Sequence, residues 1–455
     1  MAASEQSYWL KSGLLSILER GSVFIFGFGS IYFLARALSI TDFGTWVLFG
    51  AFFSFIEVGR GGLLQNALVR YLSTCEEEEV PLISTASLMI NLGLTVICIL
   101  IFLLFAGLIA TAFEAPILAA MLRIYCMTTL VLVPFQQFNF IQQANLDFRG
   151  IFMSNFVLKG TLFFYILGLY LSASTIGLIQ LALCQIVAAV LAASVSFYFA
   201  RPYLKFSRRI DWEWMRKLFT FGIFVFGTNL SAMLYKTIDK LMLGLLVPTG
   251  TIAVGVYEWA IKITNLVEVP TFSVASIVFP QSARKMKSEG LKAIKELYEQ
   301  SVGAILAIIL PFMLFVYLFT EPIIVFLASE KYLDTVPILQ ITIWFGLFIP
   351  FVVQFGTVLD SIGRPKINFF FTLFGMILNI ALNYILISQM GIIGAAYATL
   401  SGYFILFSIT QIVLNRMIGI WAPNVFGHIL PFYVKAYRTV YEILRKKWVA
   451  LKTEV

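Results

Sequence analysis

About twelve apolar segments, each long enough to cross a bilayer, limit what this chain can fold into more than any other feature. They lie at about 12–35, 44–68, 82–112, 121–143, 151–171, 176–199, 217–247, 251–279, 300–328, 335–358, 366–388 and 391–415. Of the 455 residues, 60% are hydrophobic and only 12% are charged, which is far from the composition of a soluble domain. The sequence therefore predicts an all-α polytopic membrane protein with about 12 transmembrane helices, enough for two six-helix bundles.

The composition offers little for metal, thiol or nucleic-acid chemistry. The chain has one histidine and four cysteines, and the cysteines form no CxxC pair. We therefore expect no metal site, no catalytic residue and no cofactor. The net charge is +8, but the basic residues form short clusters between apolar segments, not the continuous stripe typical of nucleic-acid binding. We expect neither an enzyme nor a nucleic-acid partner.

Positive charge alternates along the connections between spans, and this indicates their orientation because lysine and arginine are enriched on the cytoplasmic side. One set of connections carries Arg70, Arg149, Arg201, Lys205, Arg208, Arg209, Arg216, Lys217, Arg284, Lys285, Lys287, Lys292, Lys295, Arg364 and Lys366. The opposite set carries only Arg36 and Lys331, and its connections are short. With an even number of spans, this asymmetry predicts that both termini are cytoplasmic.

The most polar internal connection, residues 201–216, divides the chain into two sets of six spans. We predict an N-terminal lobe at 1–200, a C-terminal lobe at 217–418 and a basic amphipathic segment at 419–455. Within that segment, one apolar stripe over 432–448 predicts a helix that lies on the membrane and attracts anionic lipid.

Two smaller patterns concern the connections and the start of the second span in each half. Residues 284–299 mix lysines and glutamates with regularly spaced leucine and isoleucine, which predicts a short separate helix at the cytoplasmic interface. Residues 43–46 and 254–257 repeat a glycine that is followed two positions later by an aromatic residue. This short repeat agrees with an internal duplication, a known plan of transporters.

Ionisable side chains within the apolar segments are the candidate functional residues. Each costs about 2.5–3.5 kcal/mol at bilayer depth and usually faces a cavity or a charged partner. The candidate substrate-binding cations are Arg20, Arg60, Lys159, Lys236, Lys240 and Lys262, and the candidate ion-coupling acids are Glu19, Glu57, Asp239 and Glu258.

Helical spacing groups several of these residues into stripes. Asn229, Lys236 and Lys240 share one face of their helix, as do Glu258, Lys262 and Asn265 of the next. Such stripes line a wet interior, or pairs such as Glu57 with Arg60 and Glu258 with Lys262 join the bundle as salt bridges. For Lys236 and Lys240 we favour a cavity, because these two cations have only Asp239 as an acid nearby.

The end of the fourth span alternates amides with phenylalanines over residues 134–149. Amides bind sugar hydroxyls and aromatic faces stack on sugar rings. The candidate sugar contacts are Gln136, Gln137, Asn139 and Gln142, together with Asn229 and Asn265. The alternative is amide bonding between helices, worth about 0.6–2 kcal/mol per contact in membranes.

Four segments carry a family resemblance: LARALSITDFGTW (34–46), FIEVGRGGLLQNALVRYLS (55–73), QQANLDFR (142–149) and FGTNLSAMLYKTIDKLMLGLLVPTGTIAVGVYEWA (226–260). They resemble the polysaccharide and oligosaccharide-lipid flippases of the MATE-like (multidrug/oligosaccharidyl-lipid/polysaccharide exporter) superfamily, over about residues 8–418. The resemblance implies two six-helix lobes around a central cavity, alternating access and a location in the inner (plasma) membrane. It places Asp239 and its flanking lysines among the charged cavity residues. The EEEE run at 76–79 and Arg60 correspond to no feature of that family.

We therefore expect a flippase that moves an undecaprenyl-pyrophosphate-linked oligosaccharide from the cytoplasmic to the outer leaflet for surface polysaccharide, such as O-antigen, lipopolysaccharide or exopolysaccharide. Its partners would be the lipid-linked substrate, membrane lipids and other polysaccharide-assembly proteins, and coupling to H⁺ or Na⁺ stays open. The alternatives are a cation-coupled multidrug exporter and a membrane polysaccharide polymerase or ligase. The short outer connections argue against the last, because such enzymes carry a large outer loop.

Overall fold

The computed structural model describes the backbone of residues 2–434, 438 and 441–442, and their side chains except at 2–17, 20, 224, 280, 283, 287 and 365. Every regular element within these residues is a helix. The chain divides into two compact units, one formed by Met1–Val256 with Leu327–Lys331 and the other by Tyr257–Phe326 with Tyr332–Val455.

The first unit contains α1 (Ala2–Ala37), α2 (Ile40–Leu72), α3 (Val80–Ala112), α4 (Pro116–Ala144), α5 (Phe148–Leu171), α6 (Leu178–Ala200), α7 (Trp212–Leu246) and the start of α8 (Gly250–Thr264). The second contains the rest of α8, then α9 (Glu268–Ser288), α10 (Leu291–Leu318), α11 (Thr320–Leu327), α12 (Thr335–Thr342), α13 (Ile349–Ser361), α14 (Pro365–Met390), α15 (Ile392–Ile418) and α16 (Ala422–Phe426). Short 3₁₀ turns occupy Arg201–Tyr203, Asn265–Val267, Glu330–Tyr332 and Ile343–Leu347.

The predicted all-α polytopic class is confirmed. Within the described residues, eleven helical segments are long and apolar enough to cross a membrane, and the described apolar part of α1, Gly21–Ala37, is a shorter twelfth. Three predicted spans are composite, and the one at 300–328 consists of the end of α10 and all of α11. The span predicted at 251–279 consists of α8 and α9 joined by a 3₁₀ turn, and the one at 335–358 consists of α12 and α13 joined in the same way.

Polar side chains set where several helices begin. The Ser39 hydroxyl accepts a hydrogen bond from the Asp42 backbone N–H at 3.0 Å and so caps α2. The Asp211 carboxylate accepts from the backbone N–H groups of Glu213 and Trp214 at 2.8 and 3.0 Å and caps α7. These bonds satisfy N–H groups that have no partner inside the helix, so the short connections can stop one span and start the next.

The separate interfacial helix predicted at 284–299 is wrong. Its first part is the end of α9, and its second part is the start of α10. Gly290 breaks the helix between them with φ +75°, a conformation that glycine adopts without strain. Ile294 and Tyr298 are then fully buried in the second unit, so the apolar stripe faces protein and not the membrane surface.

Glycines allow the close approach of α2 to two other helices. A Cβ atom on Gly222 of α7 would lie 2.0 Å from the Leu63 carbonyl oxygen of α2. A Cβ atom on Gly44 would lie 1.7 Å from the Thr251 carbonyl oxygen, and one on Gly255 would lie 3.3 Å from the Gly44 nitrogen. The two glycines of the short repeat therefore meet where α2 crosses the start of α8. A side chain at Gly44 does not fit there, and one at Gly255 would be tightly packed.

The division by contacts falls after Val256, whereas the predicted lobes are separated at 201–216. The difference arises because α7 packs along α2, as the Gly222 contact shows. The lobe boundaries stay a prediction. So does the membrane-surface helix at 432–448, most of which lies outside the described residues. Within its described start, the Tyr433 hydroxyl donates to the Ala307 carbonyl of α10.

Candidate functional site

Arg60 of α2 is buried at the junction of three helices. Its side chain is 1% exposed. The guanidinium donates to the Thr129 carbonyl of α4 at 2.8 Å and to the Thr95 hydroxyl of α3 at 3.2 Å. It also forms an ion pair with Glu57, one helical turn earlier. The structure thus favours the salt-bridge interpretation for Arg60: the guanidinium joins α2, α3 and α4, and a ligand cannot reach it in this conformation.

Glu57 is the accessible member of that pair, with 26% of its side chain exposed. Its Oε1 accepts from Arg60 and from the Tyr125 hydroxyl, the latter at 3.3 Å, and its Oε2 accepts from the Gln136 amide at 2.6 Å. Three hydrogen bonds to one carboxylate hold it in place. Glu57 is therefore a fixed, partly accessible anion.

Lys159 of α5 lies next to Phe53 of α2. Its side chain is exposed, and its ammonium lies 6.0 Å from the centroid of the half-buried Phe53 ring. The Phe53 ring is in turn 5.6 Å from the ring of Tyr125. Lys159 and Glu57 are close enough to interact electrostatically. We call Phe53, Glu57, Tyr125, Gln136 and Lys159 the Glu57 site.

Glu19 and Asn155 extend this site toward α1. The Asn155 amide donates to the Glu19 carboxylate at 2.9 Å. Asn155 precedes Lys159 by four residues, so both lie on one face of α5. The side chain of Arg20, the predicted cation next to Glu19, lies outside the described residues.

The other predicted sugar-binding amides of α4 bond to neighbouring helices. Gln137 donates to the Ser84 carbonyl at 3.1 Å, and Gln142 donates to the Ser196 hydroxyl at 3.1 Å. The Asn139 carbonyl oxygen accepts from Ser154 at 3.1 Å and from Ser196 at 2.8 Å. This geometry favours interhelical bonding for all three residues, and their contact with sugar stays a prediction.

On α7, in contrast to α2, the accessible charges are lysines and the acid Asp239 is buried. Lys236 is exposed and Lys240 is half-buried, whereas Asp239 is 6% exposed. Each of the three interacts with neighbouring groups. Asn229, one end of the predicted stripe, is exposed. The apolar span of α7 thus presents lysines and buries Asp239.

On α8, the predicted pair of Glu258 and Lys262 is formed, with 3.5 Å between the ammonium and the carboxylate. The Glu258 side chain is 5% exposed and that of Lys262 is 39% exposed, so the lysine head can still meet a ligand. Asn265 is half-buried in the 3₁₀ turn that follows α8.

The contributions of Phe53, Tyr125 and Asn155 were not predicted. Phe53 precedes Glu57 by four residues and Asn155 precedes Lys159 by four, and this helical spacing from a charge was the available signal. Among the described side chains, no three histidine, cysteine or acidic residues come together in a way that would hold a metal ion.

Comparisons with known proteins agree with this architecture. Residues 33–337 match the family described as polysaccharide biosynthesis protein. The uncharacterized membrane protein MJ1068 of Methanocaldococcus jannaschii is 30% identical over 221 residues, which are 48% of this chain and 42% of that protein. The probable low-salt glycan biosynthesis flippase Agl15 of Haloferax volcanii is 24% identical over 184 residues, 40% of this chain and 39% of that protein. Each alignment thus spans about two fifths of the relative's length.

Among solved structures, the lipid II flippase MurJ in an inward closed conformation superposes with a TM-score of 0.75 at 19% identity. The superposition covers 94% of this chain and 92% of that one. This likeness identifies the fold, a multi-pass helical membrane protein built like a known transporter.

Proposed function

Because the chain belongs to the family of polysaccharide biosynthesis proteins, we propose that it is a flippase for a lipid-linked oligosaccharide. Its substrate is a saccharide carried on undecaprenyl pyrophosphate, and it moves the headgroup from the cytoplasmic to the outer leaflet of the inner membrane. The glycan flippase of Haloferax volcanii among its relatives supports the class of substrate. Other polysaccharide-assembly proteins would supply the substrate on one side and consume it on the other.

One observation carries the proposal: α7 presents Lys236 and Lys240 within an apolar span. A pyrophosphate that leaves water for a medium of low dielectric constant loses several kcal/mol of hydration per charge. Fixed cations replace that hydration. A membrane potential that is negative inside also favours outward transfer of negative charge, by about 2.3 kcal/mol per charge per 100 mV.

The test is transport by the Lys236→Gln/Lys240→Gln protein in liposomes that contain a fluorescent polyprenyl-pyrophosphate oligosaccharide. Glutamine keeps the hydrogen-bonding capacity and removes the charge, so we expect loss of flipping with normal insertion and abundance. Arginine at either position keeps the charge and should retain partial transport. Normal flipping by the glutamine variant contradicts the proposal, and expulsion of cationic drugs by the wild type would favour a multidrug exporter instead.

Asp239→Asn provides the control for a purely structural role. If the lysines only compensate the buried Asp239, neutralising that acid should rescue the glutamine variant, because an uncompensated buried charge is removed. If they bind substrate, Asp239→Asn should not rescue it. A dependence of wild-type flipping on an imposed H⁺ or Na⁺ gradient would identify the coupling ion, with Glu19, Glu57, Asp239 and Glu258 as candidate acids.

The orientation is tested separately. A reporter fused after residue 210 or 290 should read cytoplasmic, and one fused at 249 or 390 should read extracytoplasmic, because positive charge concentrates in the first set of connections. An extracytoplasmic signal at 210 overturns the proposed topology.

A further inference from the structure

The Glu57 site differs in charge from the lysine-bearing face of α7. Among the described side chains at and beside this site, the carboxylates of Glu19 and Glu57 are balanced by Arg60 and Lys159. Arg60 is 1% exposed, so the groups that a ligand meets are an ammonium and a carboxylate that is 26% exposed. A pyrophosphate would meet as much negative as positive charge here. Such a site therefore selects against a multiply charged anion.

The same groups suit an uncharged, hydroxyl-rich ligand. An ionised carboxylate has about four acceptor positions. Three of these are used in Glu57, two on Oε1 and one on Oε2, which leaves one position on Oε2 for a hydroxyl. Lys159, which is an exposed residue, has an ammonium with three N–H donors. Together they provide one acceptor and several donors at fixed positions.

Phe53 supplies the third element of recognition. Its half-buried ring has the ammonium of Lys159 6.0 Å from its centroid and the ring of Tyr125 5.6 Å from it. An aromatic face with a few convergent polar groups is the usual composition of a small-molecule site. The C–H face of a pyranose ring packs on such a face while its hydroxyls reach the polar groups at the edge.

We propose that the Glu57 site binds a neutral sugar ring of the transported headgroup, with Phe53 as the stacking surface and Glu57 and Lys159 as hydroxyl contacts. The pyrophosphate is bound elsewhere, at the lysines of α7, so this inference rests on the proposed function. Arg60, Tyr125 and Gln136 are positioning residues, because they hold the Glu57 carboxylate and do not touch the sugar.

The experiment measures two ligands separately on the purified full-length protein in lipid nanodiscs. The saccharide probes are free glucose, galactose, mannose, rhamnose and N-acetylglucosamine, detected by saturation-transfer NMR, which suits weak binding. The anionic probe is inorganic pyrophosphate, detected by calorimetry. We expect at least one sugar to bind the wild type.

Phe53→Leu should weaken binding of that sugar about tenfold, the equivalent of one well-stacked aromatic contact, and leave pyrophosphate binding unchanged. Lys236→Gln/Lys240→Gln should weaken pyrophosphate binding and leave binding of that sugar unchanged. Phe164→Leu is the matched control, because Phe164 is an exposed phenylalanine of α5 in the same unit and should change neither affinity.

Three results overturn the inference: no sugar binds the wild type, Phe53→Leu binds sugar like Phe164→Leu, or Lys159→Gln loses pyrophosphate affinity. Flipping by the wild-type protein distinguishes this failure from failure of the proposed function. If flipping is intact but the sugar arm fails, only the sugar site is wrong, whereas absence of flipping refutes the function itself.

Discussion

Helices α2 and α7 each carry a basic and an acidic residue three positions apart within an apolar span of the first unit. The two pairs differ in which member is buried. On α2 the arginine is buried, with 1% of its side chain exposed, and Glu57 is accessible. On α7 the acid, Asp239, is buried and Lys236 is exposed. The same spacing therefore yields a fixed anion on one helix and an accessible cation on the other.

The partners offered by neighbouring helices explain the difference. Arg60 finds a carbonyl on α4, a hydroxyl on α3 and the Glu57 carboxylate, so both terminal nitrogens of its guanidinium have partners inside the protein. Five N–H donors in a planar fork suit such a junction, and a lysine ammonium does not replace them. Position in the bundle, and not charge spacing, decides which ion a ligand meets.

The largest effect is expected from breaking the α2 pair. Arg60→Met should lower the free energy of unfolding by about 3–5 kcal/mol, because it leaves the Glu57 carboxylate without its buried counter-ion. The measurement is unfolding in mixed micelles. Arg60→Met/Glu57→Gln should recover part of the loss. A double variant no more stable than the single one would show that the guanidinium stabilises the unit through its bonds to α3 and α4 and its packing, and not through the ion pair.

An intermediate effect is expected where helices are joined by an uncharged amide. Gln142→Leu should cost about 1 kcal/mol, because it removes the bond to the Ser196 hydroxyl of α6 in a setting where such bonds are individually modest. Thermal unfolding at matched protein-to-lipid ratio measures it. A loss as large as that of Arg60→Met would mean that the buried ion pair has no special weight in this unit.

Neutralising the exposed cation of α7 should change stability still less. Lys236→Gln should alter the free energy of unfolding by no more than about 0.5 kcal/mol, as for most exposed positions, although transport falls. The two quantities are measured on the same preparation. A destabilisation comparable to that of Arg60→Met would show that Lys236 belongs to a structural ion pair, as Arg60 does. Helices α2 and α7 would then not differ in the role of their basic residue.

The smallest effect is expected for an ion pair outside the spans. Lys205 and Glu77 lie 2.6 Å apart on exposed connections, and the bond from Lys205 lowers the pKa of Glu77. A lowered pKa means that the contribution is present above the unfolded-state pKa of Glu77 and is lost as the pH falls through the folded-state value. The difference in thermal midpoint between wild type and Lys205→Gln should be small at neutral pH, and it should vanish in acid. A difference in thermal midpoint that grows as the pH falls would contradict this prediction.

The amino-acid sequence by itself determined the helical class, the approximate position of nearly every span and the residues whose charge is costly in lipid. These follow from the length of apolar runs and from the absence of water in the bilayer, which do not depend on how helices pack. Contacts within one helix could also be predicted, because they depend on residue spacing and not on how helices pack. The i, i+4 pair of Glu258 and Lys262 forms on α8 as its spacing allows.

Tertiary structure alone decided which charges are presented and which are buried. The pattern of residues 284–299 predicted one continuous helix, but Gly290 interrupts it. Gln137, Asn139 and Gln142 bond to neighbouring helices, whereas the sequence left either sugar binding or interhelical bonding open. The Lys159 ammonium of α5 lies 6.0 Å from the Phe53 ring of α2 because both helices pack against α4. A side chain's hydrogen-bond partners come from helices far away in the chain, and burial makes those partners obligatory. Those partners cannot be predicted from the spacing of residues along one helix.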